Sequence, residues 1–304
     1  MVRIMASVRE MDSGTVHYSQ GHAESVVRSQ AWRTVDNSAA YLAAELRPGL
    51  RVLDVGCGPG TITIDLARRV APARVVGVDL EVSVLEQARA TAVSTGVGNV
   101  EFVVGSAYDL RGVLEASGPF DIVHAHQVLL HLADPVAGLR EMLRATRPAG
   151  VLAARDADYA AAAFWPADPR LDRWLEIYRA VAHDNGTEPD AGRRLMAWAR
   201  SAGAGDVTPS ASIWCHATPE QRAWWGGQWA ERIISSTIAE RAITNGRATT
   251  AELADISTAW TEWAEHPDGW FAIPHGEILC RVPPLSNRST ARKSDLHESA
   301  QRRN

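Results

Sequence analysis

Short apolar runs and amphipathic stretches take turns along the first half of the chain. Val52–Val55, Val75–Val78, Val100–Val104, Phe120–Ala125 and Val151–Ala154 are short and almost uniformly apolar, and read as buried strands. Between them Thr61–Val70, Val82–Ala92 and Pro135–Thr146 repeat apolar residues at helical spacing, the last with Pro in its first turn. Strand and helix in alternation predict a parallel, doubly wound α/β sheet, because parallel neighbours need a crossover and the crossover helices cover both faces. Ahead of the first strand, Asn37 is placed to cap a helix over Ser38–Leu46 that stops at Pro48-Gly49.

After Arg155 the rhythm changes. Asp190–Ala202 predicts a helix closed by Gly203, and Val207–Cys215 a strand. Two helical stretches follow, Pro219–Thr244 and Thr250–Glu265, the second opened by a Thr249-Thr250-Ala251-Glu252 capping box. Ile278–Val282 reads as a last strand, and the polar, weakly basic residues 283–304 read as a disordered tail. The expected organisation is an N-terminal helical cap segment over 1–50, a core over 51–155, and the remaining strands with a helical lid over 156–282.

With 304 residues, 46% apolar and 22% charged, the chain can bury a large core. A net charge of −5 and no basic stripe argue against a nucleic-acid partner. No run reaches the roughly 18 apolar residues of a membrane span, and the N-terminus lacks the core of a signal peptide, so a cytoplasmic protein is expected. A homodimer is compatible with the pattern. Three cysteines, Cys57, Cys215 and Cys280, are too scattered for a disulfide framework or a zinc cluster.

The most informative stretch is Arg51-Val52-Leu53-Asp54-Val55-Gly56-Cys57-Gly58-Pro59-Gly60. A strand delivers an acid and then three glycines to a helix start, so the backbone can approach a ligand closely. The acid argues for a ligand carrying a cation or hydroxyl donors and against a bare pyrophosphate. A dinucleotide fingerprint would need a third glycine where Thr61 stands, so a nicotinamide-dependent oxidoreductase is the weaker alternative.

V-L-D-x-G-C-G-x-G resembles the first motif of class I S-adenosylmethionine-dependent methyltransferases. Val75–Leu80 resembles the second motif, Gly105-Ser106-Ala107-Tyr108 the adenine-edge motif, and Phe120-Asp121-Ile122-Val123 the fourth. Within that superfamily Gln127–Pro135 is similar to the ubiquinone/menaquinone-biosynthesis C-methyltransferase group, which contains many enzymes of small-molecule and secondary metabolism. The resemblance implies a Rossmann-like seven-stranded sheet with the last strand antiparallel, and helical cap insertions. It also implies methyl transfer from S-adenosylmethionine to carbon, oxygen or nitrogen of a small-molecule acceptor. A non-catalytic protein that only binds S-adenosylmethionine is a second alternative.

Carried onto these residues, the resemblance assigns the donor site. Asp79 would accept both ribose hydroxyls, since a carboxylate has two oxygens for two donors. Leu80 would lie on the adenine, Ser106 and Ala107 at its edge, and Asp54, Gly56, Gly58, Ala125 and Gln127 along the amino-acid part. Arg33 is the candidate for the methionine carboxylate, and Tyr18 could close over the same end.

Acceptor chemistry is less marked. His124 and His126 alternate on one strand and share a side, and His126 is the candidate general base. His124, His126 and His131 are not spaced as a metal site, and none is expected. Asp158 and Tyr159 follow the fifth strand at the ligand edge and are acceptor candidates. The second half is crowded with tryptophans; Trp225 is a candidate lid residue over an apolar or aromatic acceptor, and most of the others read as core.

Overall fold

The computed structural model describes residues 32–284. Along the chain the elements are α1 (Val35–Ser38), β1 (Val52–Val55), α2 (Thr61–Val70), β2 (Val75–Asp79), α3 (Val82–Ser94), β3 (Val100–Val104), α4 (Arg111–Ser117) and β4 (Phe120–His126). Then follow α5 (Pro135–Ala145), β5 (Thr146–Ala157), β6 (Ala163–Trp165), α6 (Pro169–Asp184), α7 (Leu195–Ala202), β7 (Asp206–His216), α8 (Pro219–Ser235), α9 (Thr237–Thr244), α10 (Thr250–Glu265) and β8 (Trp270–Arg281).

Strands β1 to β5 are parallel in the order β3-β2-β1-β4-β5, and β8 lies antiparallel beside β5. Phe271 of β8 is paired with both Phe164 of β6 and His216 of β7, so β6 and β7 sit on opposite edges of β8. The sheet is thus Rossmann-like with its last strand antiparallel, as the resemblance implies, plus the three-residue β6 as an eighth strand.

Pleating sorts the residues by face. One face presents Leu53, Val55, Val76, Val78, Val123, Ala125, Leu152, Ala154, Ile278 and Cys280, packed on α5 and α7 through Leu139, Met142, Leu195 and Ala199. The other presents Val52, Val75, Ile122 and Ala153, packed on Val35, Leu42, Ile62 and Leu66. Toward the carboxyl ends this second face turns polar, and there the candidate site lies. A separate aromatic core joins α6, α8, α9 and α10 to the ends of β7 and β8 around the fully buried Trp174, Trp229 and Trp260.

Several expected boundaries move. Thr34, not Asn37, caps the first helix: Asn37 donates its N–H to Thr34 Oγ1 at 3.3 Å while its own Oδ1 accepts from the Thr34 N–H at 2.8 Å. That helix spans four residues and gives way to a 3₁₀ turn over Ala40–Glu45. The expected helix over Asp190–Ala202 begins as a 3₁₀ turn, Ala191–Arg194, because Gly192 packs backbone to backbone against Gly276. Pro219–Thr244 breaks at Ser236, which ends α8 and caps α9 with its hydroxyl on the Ile238 N–H at 3.2 Å. The turn-rich spacer after β5 hid α6, although Asp168-Pro169 is a regular helix start.

Candidate active site

The site is built at the carboxyl ends of β1, β2 and β4. β1 runs into the glycine turn, whose Gly56 and Gly58 take φ of +69° and +54°. A Cβ on Gly56 would collide with Val128, so the turn nests directly under the segment that follows β4. Gly58, at the tip, donates its N–H to Asp79 Oδ2 at 2.9 Å, and Glu81 donates to Asp79 Oδ1 at 3.1 Å. The carboxylate that ends β2 therefore leans across the glycine turn.

Asp54 points to the polar face. It does not satisfy the glycine turn; its Oδ1 lies 2.7 Å from His124 Nδ1 on the adjacent strand, and its Oδ2 accepts from the Thr63 hydroxyl at 2.5 Å. The register that pairs Asp54 with His124 makes this contact possible. Asp54 is 3% exposed and still borders the cavity formed with Gly58 and Asp79.

His126 follows two residues on, on the same face, with neither ring nitrogen hydrogen-bonded among the described residues. Burial, reinforced by the charges of Arg33 and Arg155, holds its imidazole well below the ordinary histidine range, so it is neutral at physiological pH. Gln127 then turns the chain with φ of +53°, a left-handed conformation that costs a non-glycine residue and recurs at functional sites. Its side chain is fixed at both ends. The His275 ring donates from Nδ1 to the Ile273 carbonyl at 3.1 Å, leaving Nε2 to accept from Gln127 Nε2 at 2.9 Å. Gln127 Oε1 consequently faces Arg33 Nη2, 2.6 Å away.

Beyond His126 the same pleat carries Arg155 on β5 and Glu277 on β8, directly paired in register. Arg155 is fully buried; its Nε donates to Ser212 Oγ at 3.0 Å and to Glu277 Oε1 at 3.2 Å. Ser210 donates to Glu277 Oε2 at 2.7 Å. The Trp214 ring closes the row, with the Arg155 and Arg33 guanidinium carbons 4.9 and 5.4 Å from its centroid and its indole N–H on the Asn37 carbonyl at 2.7 Å. Sequence reasoning missed this row. Its only local signal is a polar residue at every second position of an otherwise apolar strand, as with His275 and Glu277.

One cavity of about 60 Å³ gathers Arg33, Asp54, Gly56, Gly58, Asp79, His126 and Gln127. Small-molecule sites run from roughly 300 Å³ upward, so the cavity has to widen for a ligand of nucleoside size. Leu80, half exposed, and Ser106, whose Oγ accepts from the Tyr108 N–H at 3.1 Å, sit at the ends of β2 and β3 outside this lining, and so does Ala107. The Ala125 methyl is buried in the apolar core on the opposite face.

The three acceptor candidates are engaged elsewhere. Asp158 forms a two-pronged pair with Arg193 at 2.6 and 2.7 Å. Tyr159 packs against Tyr178 in the aromatic core, and Trp225 stacks on His216 at 4.4 Å within the same core. Packing, not ligand contact, accounts for where these side chains point. Tyr18 lies outside the described residues.

A family model for a methyltransferase domain matches residues 46–229, from just ahead of β1 into α8. The chain belongs to the class I S-adenosylmethionine-dependent methyltransferases. It is 34% identical over 272 residues to an uncharacterized methyltransferase of Schizosaccharomyces pombe, spanning 87% of this chain and 96% of that one. It is 38% identical over 113 residues to the ubiquinone biosynthesis O-methyltransferase of Xanthomonas axonopodis, covering 37% of this chain and 45% of that enzyme. The fold also matches the YcgJ protein of Bacillus subtilis, with a TM-score of 0.52 at 21% identity over 82% of this chain and 99% of that one.

The residues present suit the methyltransferase donor. Asp79 offers two carboxylate oxygens to a vicinal diol, the glycine turn leaves room where side chains would intrude, and Asp54 adds negative charge for a sulfonium. Arg33 borders the same space with a guanidinium suited to a carboxylate. No helix among the described residues is long and apolar enough to cross a membrane.

Proposed function

We propose that this methyltransferase acts on a small molecule with an aromatic body and a polar O–H or N–H group at the methylated end. The observation that carries this reading is His126. It is a neutral, 5% exposed imidazole lining the donor cavity with both nitrogens unengaged among the described residues, and it is backed by the rings of Trp214 and His275. Such a group accepts a hydrogen bond from the acceptor and takes its proton when that proton must leave.

S-adenosylmethionine supplies an electrophilic methyl group when bound. The chain's own part is to hold and orient: Asp79 and the glycine turn take the nucleoside end, Arg33 the carboxylate, and the fixed Gln127 keeps Arg33 in position. Burial excludes water, so proximity supplies most of the acceleration. The absence of a basic stripe in the sequence favours a metabolite over a nucleic acid as acceptor.

The test is a transfer assay with methyl-labelled S-adenosylmethionine against a panel of phenols, hydroxy acids and amines, alongside transfer RNA and bulk protein. Label in small molecules, reduced in His126→Phe while S-adenosylhomocysteine still binds by calorimetry, is the expected result. Label only in polymer, or an undiminished rate in His126→Phe, would defeat the reading.

A further inference from the structure

A second, larger cavity of about 370 Å³ lies between α1 and the edge strand β7. Trp32, Asn37 and Ser38 form one side, Ser212 and Trp214 the other, and Arg155 and Glu277 the floor. Trp214, which lines it, also packs on His126 of the donor cavity and on Trp32, with ring centroids 5.5 and 5.1 Å apart. Arg155 pairs directly with His126 in the β4–β5 register, so floor and imidazole are one strand apart, about 4.8 Å.

Arg155 has capacity to spare. Only its Nε is engaged, and Nη1 and Nη2 find no acceptor among the described residues although the side chain is fully buried. A buried guanidinium fork with both outer nitrogens unused is costly unless something else meets it. Both oxygens of Glu277 are already bonded, to Arg155, Ser212 and Ser210. The other acid at the cavity lip, Asp36, is paired with Arg69 at 2.7 Å.

The charge balance has the same sign. Two guanidiniums, Arg155 and Arg33, approach the Trp214 ring against the single carboxylate of Glu277. Burial pulls Arg155 down to about 10 despite Glu277, which marks its charge as under-compensated. The neighbouring His126 and His275 are held neutral and add no negative charge.

We propose that this cavity takes the carboxylate of the methyl acceptor, an aromatic carboxylic acid, on Arg155 Nη1 and Nη2, with the aromatic ring packed against the indoles of Trp32 and Trp214. The fork geometry favours a planar carboxylate over a point acceptor. One strand spacing between Arg155 and His126 matches a single ring carrying the carboxylate at one end and the reactive group at the other. This rests on the acceptor reading of His126 given above and adds the group that anchors the opposite end.

Calorimetry with S-adenosylhomocysteine present separates the two readings. The probes are 3-hydroxybenzoate and its uncharged isostere 3-hydroxybenzamide, titrated into wild type, Arg155→Met, and the double variant Arg155→Met/Glu277→Leu. The double variant removes both charges together and keeps the protein folded where the single variant fails. The expected result is binding of the acid about tenfold or more tighter than the amide in wild type, a preference lost in the variants while S-adenosylhomocysteine affinity stays. Equal affinity for acid and amide in wild type, or a preference that survives in the double variant, would overturn the carboxylate site and leave the methyltransferase reading intact. Failure of wild type to bind S-adenosylhomocysteine would instead remove the reading on which the site rests.

Discussion

The carboxylate of Asp79 is held by two backbone N–H groups, one from the glycine tip and one from the start of α3. A ribose diol would compete for the same oxygens, so Asp79→Ala should weaken S-adenosylmethionine binding by about 1–3 kcal/mol, the range for removing a partner of buried polar groups. Unchanged affinity by calorimetry would refute the role. Gln127 makes a different prediction. Gln127→Gly relieves the φ of +53° but removes the link between Arg33 and His275. Thermal stability should change little, since the backbone gain offsets the lost contacts, while donor affinity falls several-fold; a variant with unaltered affinity would show that Arg33 needs no such support. That Asp54, Gly56, Gly58 and Asp79 gather at one cavity was legible because they fall in contiguous strand-turn segments with local chemistry. Arg155 and Glu277 were not, because 122 positions separate them and only strand register brings them together. Asp158 and Tyr159 misled for the complementary reason: chain position put them at the ligand edge, and packing turned them away.

Among the elements, the glycine turn and the segment after β4 interlock. Gly56→Ala adds a methyl to a left-handed residue directly against Val128. It should destabilise the fold by about 1–3 kcal/mol and abolish donor binding, read by urea unfolding and by calorimetry. The helices of the second half behave as a packed layer. Trp260 is fully buried between Trp174, Trp263 and Phe271. Trp260→Ala should therefore cost about 3–5 kcal/mol, and a smaller loss in chemical denaturation would mean that the layer tolerates a void. The tryptophan content pointed to such a layer. The break at Ser236 and the 3₁₀ turn at Ala191–Arg194 depend on contacts made by other elements, which helical periodicity does not carry.

For the whole molecule, the buried histidines set a pH dependence. Burial lowers His131 to about 3 and His216 to about 4, and holds His126 and His275 well below their ordinary range with help from Arg155 and Arg33. Below pH 6.5 the unfolded chain takes up protons on these four that the folded chain refuses, so stability falls as pH falls. Asp156 opposes this. Burial raises it to about 8, so its folded form keeps a proton that the unfolded form loses above pH 4. The lowered histidines outnumber the one raised carboxyl, so stability should decline as the pH falls from 6.5 to 5. Melting curves across that range check it; a flat melting temperature would mean that the imidazoles become solvated and charged without unfolding.

The confinement of Asp54, His124, His126, Arg155 and Glu277 to one face of the pleat makes the enzyme unusually sensitive to residue count in β4. Inserting or deleting a single residue ahead of His124 would swing both imidazoles into the aliphatic layer beneath α5 and bring Val123 and Ala125 up against the carboxylates. Such a frame slip leaves composition and hydropathy almost untouched, yet it strips the polar face of its chemistry in one step.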